Sequence, residues 1–266
     1  IDAAYYNRKT KDQIFTLPTD PSTGFSYMVT NFGEVSNKGI ELVINTTPIQ
    51  IKDFRWDLSF NFSKNNNKVL SLPESLEGGK VSIYDFSAGN DAIYMYAEEG
   101  KPMGQFYTYL PKKTADGKPI VDSNGYPILG TTVEDTGKNM NHDWTGGINT
   151  AFTYKDFSLY FLIDGKIGGN VASQTQSYLD AYGVTEATAD ARDDGGVDLG
   201  NGQKMDAQTF YTSTAGKEGA KDLYVYSATN FRLRELSLGY TFRNLLGASK
   251  NLNLSFVARN LFFIYK

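Results

Sequence analysis

Phe54-Arg55-Trp56-Asp57-Leu58-Ser59-Phe60-Asn61-Phe62-Ser63 carries a large apolar side chain at every even position and a polar one at every odd position. Successive side chains leave a β-strand on opposite sides, so this alternation predicts a strand with one apolar and one polar face. Upstream, Ile40, Leu42 and Ile44 alternate with Glu41, Val43 and Asn45, and Lys52-Asp53 is expected to turn the chain between the two strands. The arrangement recurs downstream: Ile148, Thr150, Phe152 and Tyr154 lead through Lys155-Asp156 into Phe157, Leu159, Phe161 and Ile163, and both hairpins read Lys-Asp-Phe at the turn. A third pair runs from Phe231 to Phe242, through Arg243-Asn244-Leu245-Leu246-Gly247, into Leu252, Leu254 and Phe256. Further strands are expected near 24–33, 81–97 and 104–111.

Composition agrees with a β-rich chain. Among 266 residues, 18 Tyr, 17 Phe and 2 Trp supply strand formers, and 26 Gly supply turns. Cysteine is absent and histidine occurs once, which excludes disulfides, thiol nucleophiles, thiolate zinc sites and the multi-imidazole zinc sites of enzymes. The formal charge of −4 speaks against nucleic acid as a partner, because phosphate binding needs clustered Lys and Arg. The longest apolar runs, Leu159 to Ile163 and Leu261 to Tyr265, are far shorter than the ~20 residues of a spanning helix. The opening Ile1-Asp2-Ala3-Ala4-Tyr5-Tyr6-Asn7 has neither Met nor a signal-peptide pattern, as expected of a processed chain or a fragment.

The spacing of the strands adds a second signal. Some connections are a few residues long, whereas those near 111–143 and 165–229 are long, polar and glycine-rich, with Asp116-Gly117 and Asn124-Gly125 as turn dipeptides in the first. Short turns at one end and long loops at the other are the pattern of an outer-membrane β-barrel, in which one strand face meets lipid and the other a wet lumen. A soluble antiparallel sandwich, including a secreted carbohydrate-binding one, also alternates, and a single strand does not separate the two.

Six segments bear on that choice. Asn31-Phe32-Gly33-Glu34-Val35-Ser36-Asn37-Lys38-Gly39-Ile40-Glu41-Leu42 resembles the strand-and-turn motif of the SusC/RagA family, the TonB-dependent outer-membrane transporters of Bacteroidetes. The family's later motifs are matched in order by Gly100-Lys101-Pro102-Met103-Gly104-Gln105-Phe106-Tyr107, Asp164-Gly165-Lys166-Ile167-Gly168-Gly169-Asn170 and Arg192-Asp193-Asp194-Gly195-Gly196-Val197. Asn230-Phe231-Arg232-Leu233-Arg234-Glu235-Leu236-Ser237-Leu238-Gly239-Tyr240 and Ala258-Arg259-Asn260-Leu261-Phe262 complete the set.

The resemblance implies an all-β fold: residues 1–266 as the C-terminal part of an antiparallel transmembrane β-barrel, about eight strands of a plugged barrel of ~22, with the plug and N-terminal domains outside the sequence. It further implies a protein of the bacterial outer membrane that imports oligosaccharides, glycan fragments or oligopeptides, in contact with membrane lipid. A SusD-like surface lipoprotein would be the partner, and TonB would be engaged through the missing N-terminal part. A complete small outer-membrane barrel or adhesin stands as the alternative.

No catalytic, cofactor or metal residue is expected, and the chain is read as a non-enzyme. His142 beside Asp143 could form a base and its orienting partner, but no nucleophile motif accompanies them. Glu98 and Glu99 point to opposite faces of a strand and cannot flank one bond, and Glu235 between Arg232 and Arg234 suits a polar, lumen-facing network. Asp122-Ser123-Asn124-Gly125 and Asp193-Asp194-Gly195-Gly196 leave loop calcium as the one cofactor alternative, though both lack the closing Glu of a calcium loop. The glycines within 165–202 are expected at positive φ in a folded loop. Tyr178, Tyr182 and Arg192 in that loop are the candidate contacts for solute or partner, since aromatic and Arg side chains are frequent anchors.

An incomplete barrel leaves two edges of unpaired N–H and C=O groups. The isolated 266-residue chain is therefore expected not to fold stably alone; a sharp cooperative melt of a monomer, followed by circular dichroism, would contradict this.

Overall fold

The computed structural model describes residues 1–18, 21–73, 79–85, 93–115, 120, 122–123, 127–199, 203–216, 219–244 and 250–266. In chain order the elements are β1 (Asp2–Pro18), β2 (Tyr27–Ile51), β3 (Phe54–Ser71), β4 (Lys80–Asp85), β5 (Tyr94–Glu98), β6 (Gln105–Pro111), β7 (Leu129–Asn139), β8 (Trp144–Tyr154) and β9 (Phe157–Ile167). There follow β10 (Asn170–Ala172), α1 (Gln174–Ala181), α2 (Glu186–Asp193), β11 (Val197–Asp198), β12 (Lys204–Met205), α3 (Ala207–Ala215), β13 (Val225–Ser227), β14 (Asn230–Phe242) and β15 (Leu252–Tyr265).

A seven-stranded antiparallel sheet in the order β1-β2-β3-β8-β9-β14-β15 forms a wall, with β1 and β15 at its edges. The register carries the alternation of β3 across the wall. Leu42, Phe62 and Gly146 stand opposite one another on β2, β3 and β8, as do Ile44, Phe60, Ile148 and Ile163 on β2, β3, β8 and β9. The next rows continue through Leu159, Leu238 and Phe256 and through Phe157, Tyr240 and Leu254 on β9, β14 and β15. One face is thus apolar throughout, and it is open: Phe157 is 59% and Phe256 67% exposed. A sandwich would bury this face under a second sheet; here the second, four-stranded sheet β4-β5-β6-β7 packs on the opposite, polar side, where Val35 and Val69 of the wall meet Val81 and Ala97. From Phe54 to Phe62 the belt is about 27 Å along the strand and, at a tilt of about 40°, about 21 Å along the barrel axis, close to the apolar height of an outer-membrane barrel.

Aromatic side chains mark both ends of the belt. Trp144 bridges Phe62 and Phe231, with ring centroids 5.9 and 6.2 Å away. Room for it comes from Gly146 and Gly165, which lie in the row between Phe62 and Phe231; a Cβ on Gly165 would stand 2.4 Å from the Phe231 ring. At the other end Trp56 stacks on Phe152 at 5.7 Å, and Tyr240 packs between Phe157 at 4.5 Å and Phe242 at 4.7 Å. Thr150, in one row with Thr46 and Leu58, is a polar member of this apolar face, and it has a clear task. Its Oγ1 accepts a hydrogen bond from the Trp56 indole N–H at 2.7 Å and donates to the Asp57 carbonyl at 3.2 Å. A buried or lipid-facing Trp needs such a partner for its N–H.

Three short connections lie at one end of the wall, while the link from β1 to β2, between Pro18 and Tyr27, lies at the other. Lys52-Asp53 joins β2 to β3, Lys155-Asp156 joins β8 to β9 with Lys155 at φ 52°, and Arg243-Asn244 begins the connection from β14 to β15. The Lys155 amide donates to the Asp53 carbonyl at 2.8 Å and the Thr241 amide to the Asp156 carbonyl at 2.9 Å, so neighbouring turns are tied together. Leu245, Leu246 and Gly247 lie outside the described residues. The long connections, β3 to β8 and β9 to β14, lie at the opposite end.

Three expectations change in detail. The strand near 24–33 and the one through Ile44 are a single strand, β2, of 25 residues, running well beyond the apolar belt. The segment 81–97 holds two strands, β4 and β5, and 111–143 contains β7. The stretch 165–229 begins as the end of β9 and then folds into three helices; their polar, Thr-rich sequences hide the helical period because they bury little.

Thr150→Val is expected to strand the Trp56 indole N–H and lower stability by about 1–2 kcal/mol, whereas the double variant with Trp56→Phe should recover most of the loss. Urea midpoints of the full-length protein folded into vesicles would measure both.

Candidate functional site

The helices of the second long connection are short and mark their own starts. Ser173 caps α1 through the Gln176 amide, Thr185 forms a capping box with Thr188 on α2, and Asp206 caps α3 by accepting from the Thr209 amide at 2.9 Å. The hydrogen bonds from Thr209 hold the Asp206 carboxyl below the ordinary range.

Lys221 fastens these helices to the rest. It is fully buried; its ammonium donates to the Ser177 hydroxyl on α1 at 2.6 Å and to the Ala215 carbonyl at the end of α3. Its amide donates to Thr108 Oγ1 on β6 at 3.1 Å. A cation at a helix C-terminus faces the unsatisfied carbonyls and the negative end of the dipole. Ser177 and Lys221 are within bonding distance, as in a serine–lysine dyad, but neither is exposed to solvent and the serine hydroxyl is itself bonded to Ala215. The pair therefore holds structure. Around it lie Ile93, Phe106, Ala215, Tyr224 and Val225, a core drawn from both long connections, and burial pushes the Tyr224 phenol well above its usual range. Lys138 on β7 adds a second tie, donating to the carbonyls of Asp222 at 2.9 Å and Val225 at 2.8 Å.

On this frame α1, α2 and α3 enclose a cavity of about 190 Å³ lined by Asp180, Tyr182, Gly183, Arg192, Gln208 and Tyr211, among others. It has room for about six waters at ~30 Å³ each, so it suits a single ring or side chain. Tyr182 and Arg192 are brought together here, as Arg192 donates to the Gly183 carbonyl at 3.0 Å. Asp180 is buried and accepts from Thr185 at 2.7 Å and Gln176 at 2.9 Å. Burial, with the charges of Asp180 and Asp190, raises the Tyr211 phenol. Tyr178 is not in this cavity; its hydroxyl accepts from Gln174 at 3.2 Å farther along α1. Gln208 and Tyr211 escaped the sequence reading, since only the packing of α3 against α1 and α2 brings them to Tyr182.

The remaining candidates have structural partners. His142 Nδ1 lies 2.9 Å from the Gly168 carbonyl, and the Asp143 amide donates to the Ile167 carbonyl at 2.8 Å, pinning the start of β8 to the end of β9. Gly168 has φ +74°, and a Cβ there would stand 2.2 Å from the Asp143 carboxylate. Glu98 and Asp135 share Lys101, at 2.9 and 2.8 Å, and Asp135 in particular raises the Lys101 ammonium. Glu235 pairs with Arg259 at 2.9 Å, while Arg232 grips Asp164 with two bonds of 2.6 and 3.0 Å. Arg234, at a register shift between Leu233 and Glu235, reaches Asp164 at 3.8 Å and not its neighbour Glu235. Asp193 and Asp194 end α2, with Gly195 and Gly196 at positive φ turning the chain away; Asn124 and Gly125 lie outside the described residues.

The geometry defines a class: a segment of outer-membrane-type barrel wall with a folded cap over one end. No protein-family model matches the chain. It is 30% identical over 262 residues to the TonB-dependent receptor SusC of Bacteroides thetaiotaomicron, covering 90% of this chain and 24% of that protein. It is 29% identical over 257 residues to the TonB-dependent receptor P3 of Formosa agariphila, covering 89% and 24%. Solved structures of the RagAB peptide transporter and of the RagAB peptide importer in a closed-closed state share the fold over 99% of this chain and 30% of theirs, with TM-scores of 0.68 and 0.66 at 20% identity. The chain is a SusC/RagA-like barrel segment of the TonB-dependent receptors, which are outer-membrane proteins. It spans about a quarter of the length of the curated relatives it matches.

Lys221→Met leaves the Ser177 hydroxyl and the Ala215 carbonyl without their charged donor, a loss of about 1.5–3 kcal/mol per bond. Limited proteolysis of the full-length variant is expected to cut within 173–220 while the wall strands stay protected.

Proposed function

We propose that the chain forms the C-terminal barrel wall and part of the extracellular mouth of a TonB-dependent importer of oligosaccharides, glycan fragments or oligopeptides. The observation that carries this reading is the similarity to SusC and to the RagAB importer along nearly the whole chain. The asymmetry of the wall gives the orientation: short turns on the periplasmic side, long folded connections outside. A SusD-like lipoprotein is the partner at the mouth, with the exposed Tyr178 of α1 as one of its contacts. Tyr182 and Arg192, with Gln208 and Tyr211, form a contact for one ring or side chain of the solute. Solute is moved unchanged: the relatives bear the names of receptors and importers, and the polar wall offers ion pairs and amide ladders in place of a nucleophile and its base.

Cells lacking the gene are expected to lose uptake of some members of a panel of fluorescent oligosaccharides and oligopeptides, and disruption of TonB should reproduce the loss. Uptake of the whole panel unchanged by the deletion would refute the import reading.

A further inference from the structure

The face that carries the lipid belt changes character abruptly on β1, β2 and β3. Above Phe62 on β3, the same face continues with Lys64, Asn66 and Lys68; above Ile40 on β2, with Lys38, Ser36 and Glu34; above Tyr5 on β1, with Asn7, Lys9 and Lys11. The register sets these side by side, Asn7–Lys38–Asn66 in one row and Lys9–Ser36–Lys68 in the next. Lys9 and Lys11 share the Glu34 carboxylate, at 3.1 and 4.0 Å. Lys38, Lys64 and Lys68 are exposed and have no carboxylate partner among the described residues. Five lysines against one glutamate make the patch +4 in a chain whose net charge is −4. Like charges on diagonal positions, ~7–8 Å apart, repel one another. A recess of about 470 Å³ lies within the patch, lined by Ser36, Lys38, Asn66 and Lys68 together with Gly100 and Pro102, among others. Two lysines, a serine and two asparagines are thus among the residues that line it.

We propose that this patch binds the phosphorylated headgroups of outer-leaflet glycolipid. It is continuous with the face that meets acyl chains, so an occupant must lie against lipid, and its charge selects an anion. Depth agrees: at about 3.3 Å per residue and a tilt of about 40°, Lys64 stands ~5 Å and Lys68 ~15 Å above the Phe62 level. The headgroup layer begins at that level and is itself ~6 Å thick in an ordinary bilayer. Lys64 then stands within that layer; Lys38, paired with Asn66 at ~10 Å, stands within a lysine side chain's reach of it, and Lys68, Lys9 and Lys11 face the anionic groups farther out. Juxtamembrane lysine clusters attract anionic headgroups by the same electrostatics. The inference rests on the orientation given under the proposed function, but not on import itself.

The test uses the full-length protein in phosphatidylcholine nanodiscs doped with phosphorylated lipid A, or with the same lipid after its phosphates are removed, and reads retained lipid by native mass spectrometry. Wild type is expected to retain the phosphorylated form at least about tenfold better, and the Lys38→Gln/Lys64→Gln/Lys68→Gln variant to lose that preference. Lys52→Gln/Lys155→Gln, at the opposite end, should keep it. Equal retention by wild type and the triple variant, or displacement of lipid A by inorganic phosphate at matched concentration, overturns the proposal. Lys38→Cys should be labelled by an impermeant maleimide in intact cells; labelling only after the outer membrane is opened also overturns it. Uptake of the whole panel unchanged by deletion, with the lipid preference intact, would sink the import reading alone; TonB-dependent uptake without any lipid preference would sink this one alone.

Discussion

Every peptide group of a strand in hydrocarbon must find its hydrogen bond within the protein, because lipid offers none. Between its two edge strands the wall meets that demand by continuous antiparallel pairing from β1 to β15. Pairing in turn fixes the register, and the register decides the faces: one slip by a residue would exchange Phe54, Trp56 and Leu58 for Arg55, Asp57 and Ser59. The hydrogen-bond requirement and the apolar belt therefore enforce each other. Thr150 shows how far the constraint reaches, since the single indole N–H that Trp56 brings to the apolar face is given an acceptor on the adjacent strand.

The polar face obeys a different rule. Its groups can meet water, so it tolerates charge, but the charges are paired: Asp164 with Arg232 and Arg234, Glu235 with Arg259, Arg55 with Asp57 at 2.6 Å. Amide ladders join them, with Asn65 and Asn67 both donating to Asn37 at 3.0 Å and the Tyr6 hydroxyl donating to Asn65 at 3.1 Å. Tyr6 lies over Gly39 on the partner strand, where a Cβ would come within 2.3 Å of the ring; an aromatic covering a strand glycine restores the contact that the glycine lacks. The wall is rigid on both sides for opposite reasons, apolar packing outside and paired polar groups inside.

Above the wall the long connections form one body. Its core is small, and its coherence comes from a few buried polar ties: Lys221 to α1, α3 and β6, and Lys138 to the chain around Asp222. Burial raises the Asp222 carboxyl, a cost that the nearby Lys138 ammonium partly offsets. Such ties suit a cap that must keep its shape in water without the continuous apolar face that holds the wall.

The sequence by itself determined most of the wall. Alternation over Phe54–Ser63 and its repeats named β2, β3, β8, β9, β14 and β15 but not β1, the Lys-Asp turns named one end, and the ordered motifs pointed to the family. Those signals are local, and period-two patterning is legible one strand at a time. The tertiary structure decided the rest. That the apolar face is uncovered, which separates a barrel wall from a sandwich, depends on where the second sheet packs. That Tyr182 and Arg192 share a cavity while Tyr178 does not, that Arg234 turns to Asp164 rather than Glu235, and that lysines scattered from 9 to 68 make one patch all follow from register, a strand bulge and helix packing. These bring residues together across gaps in the chain that no local pattern spans.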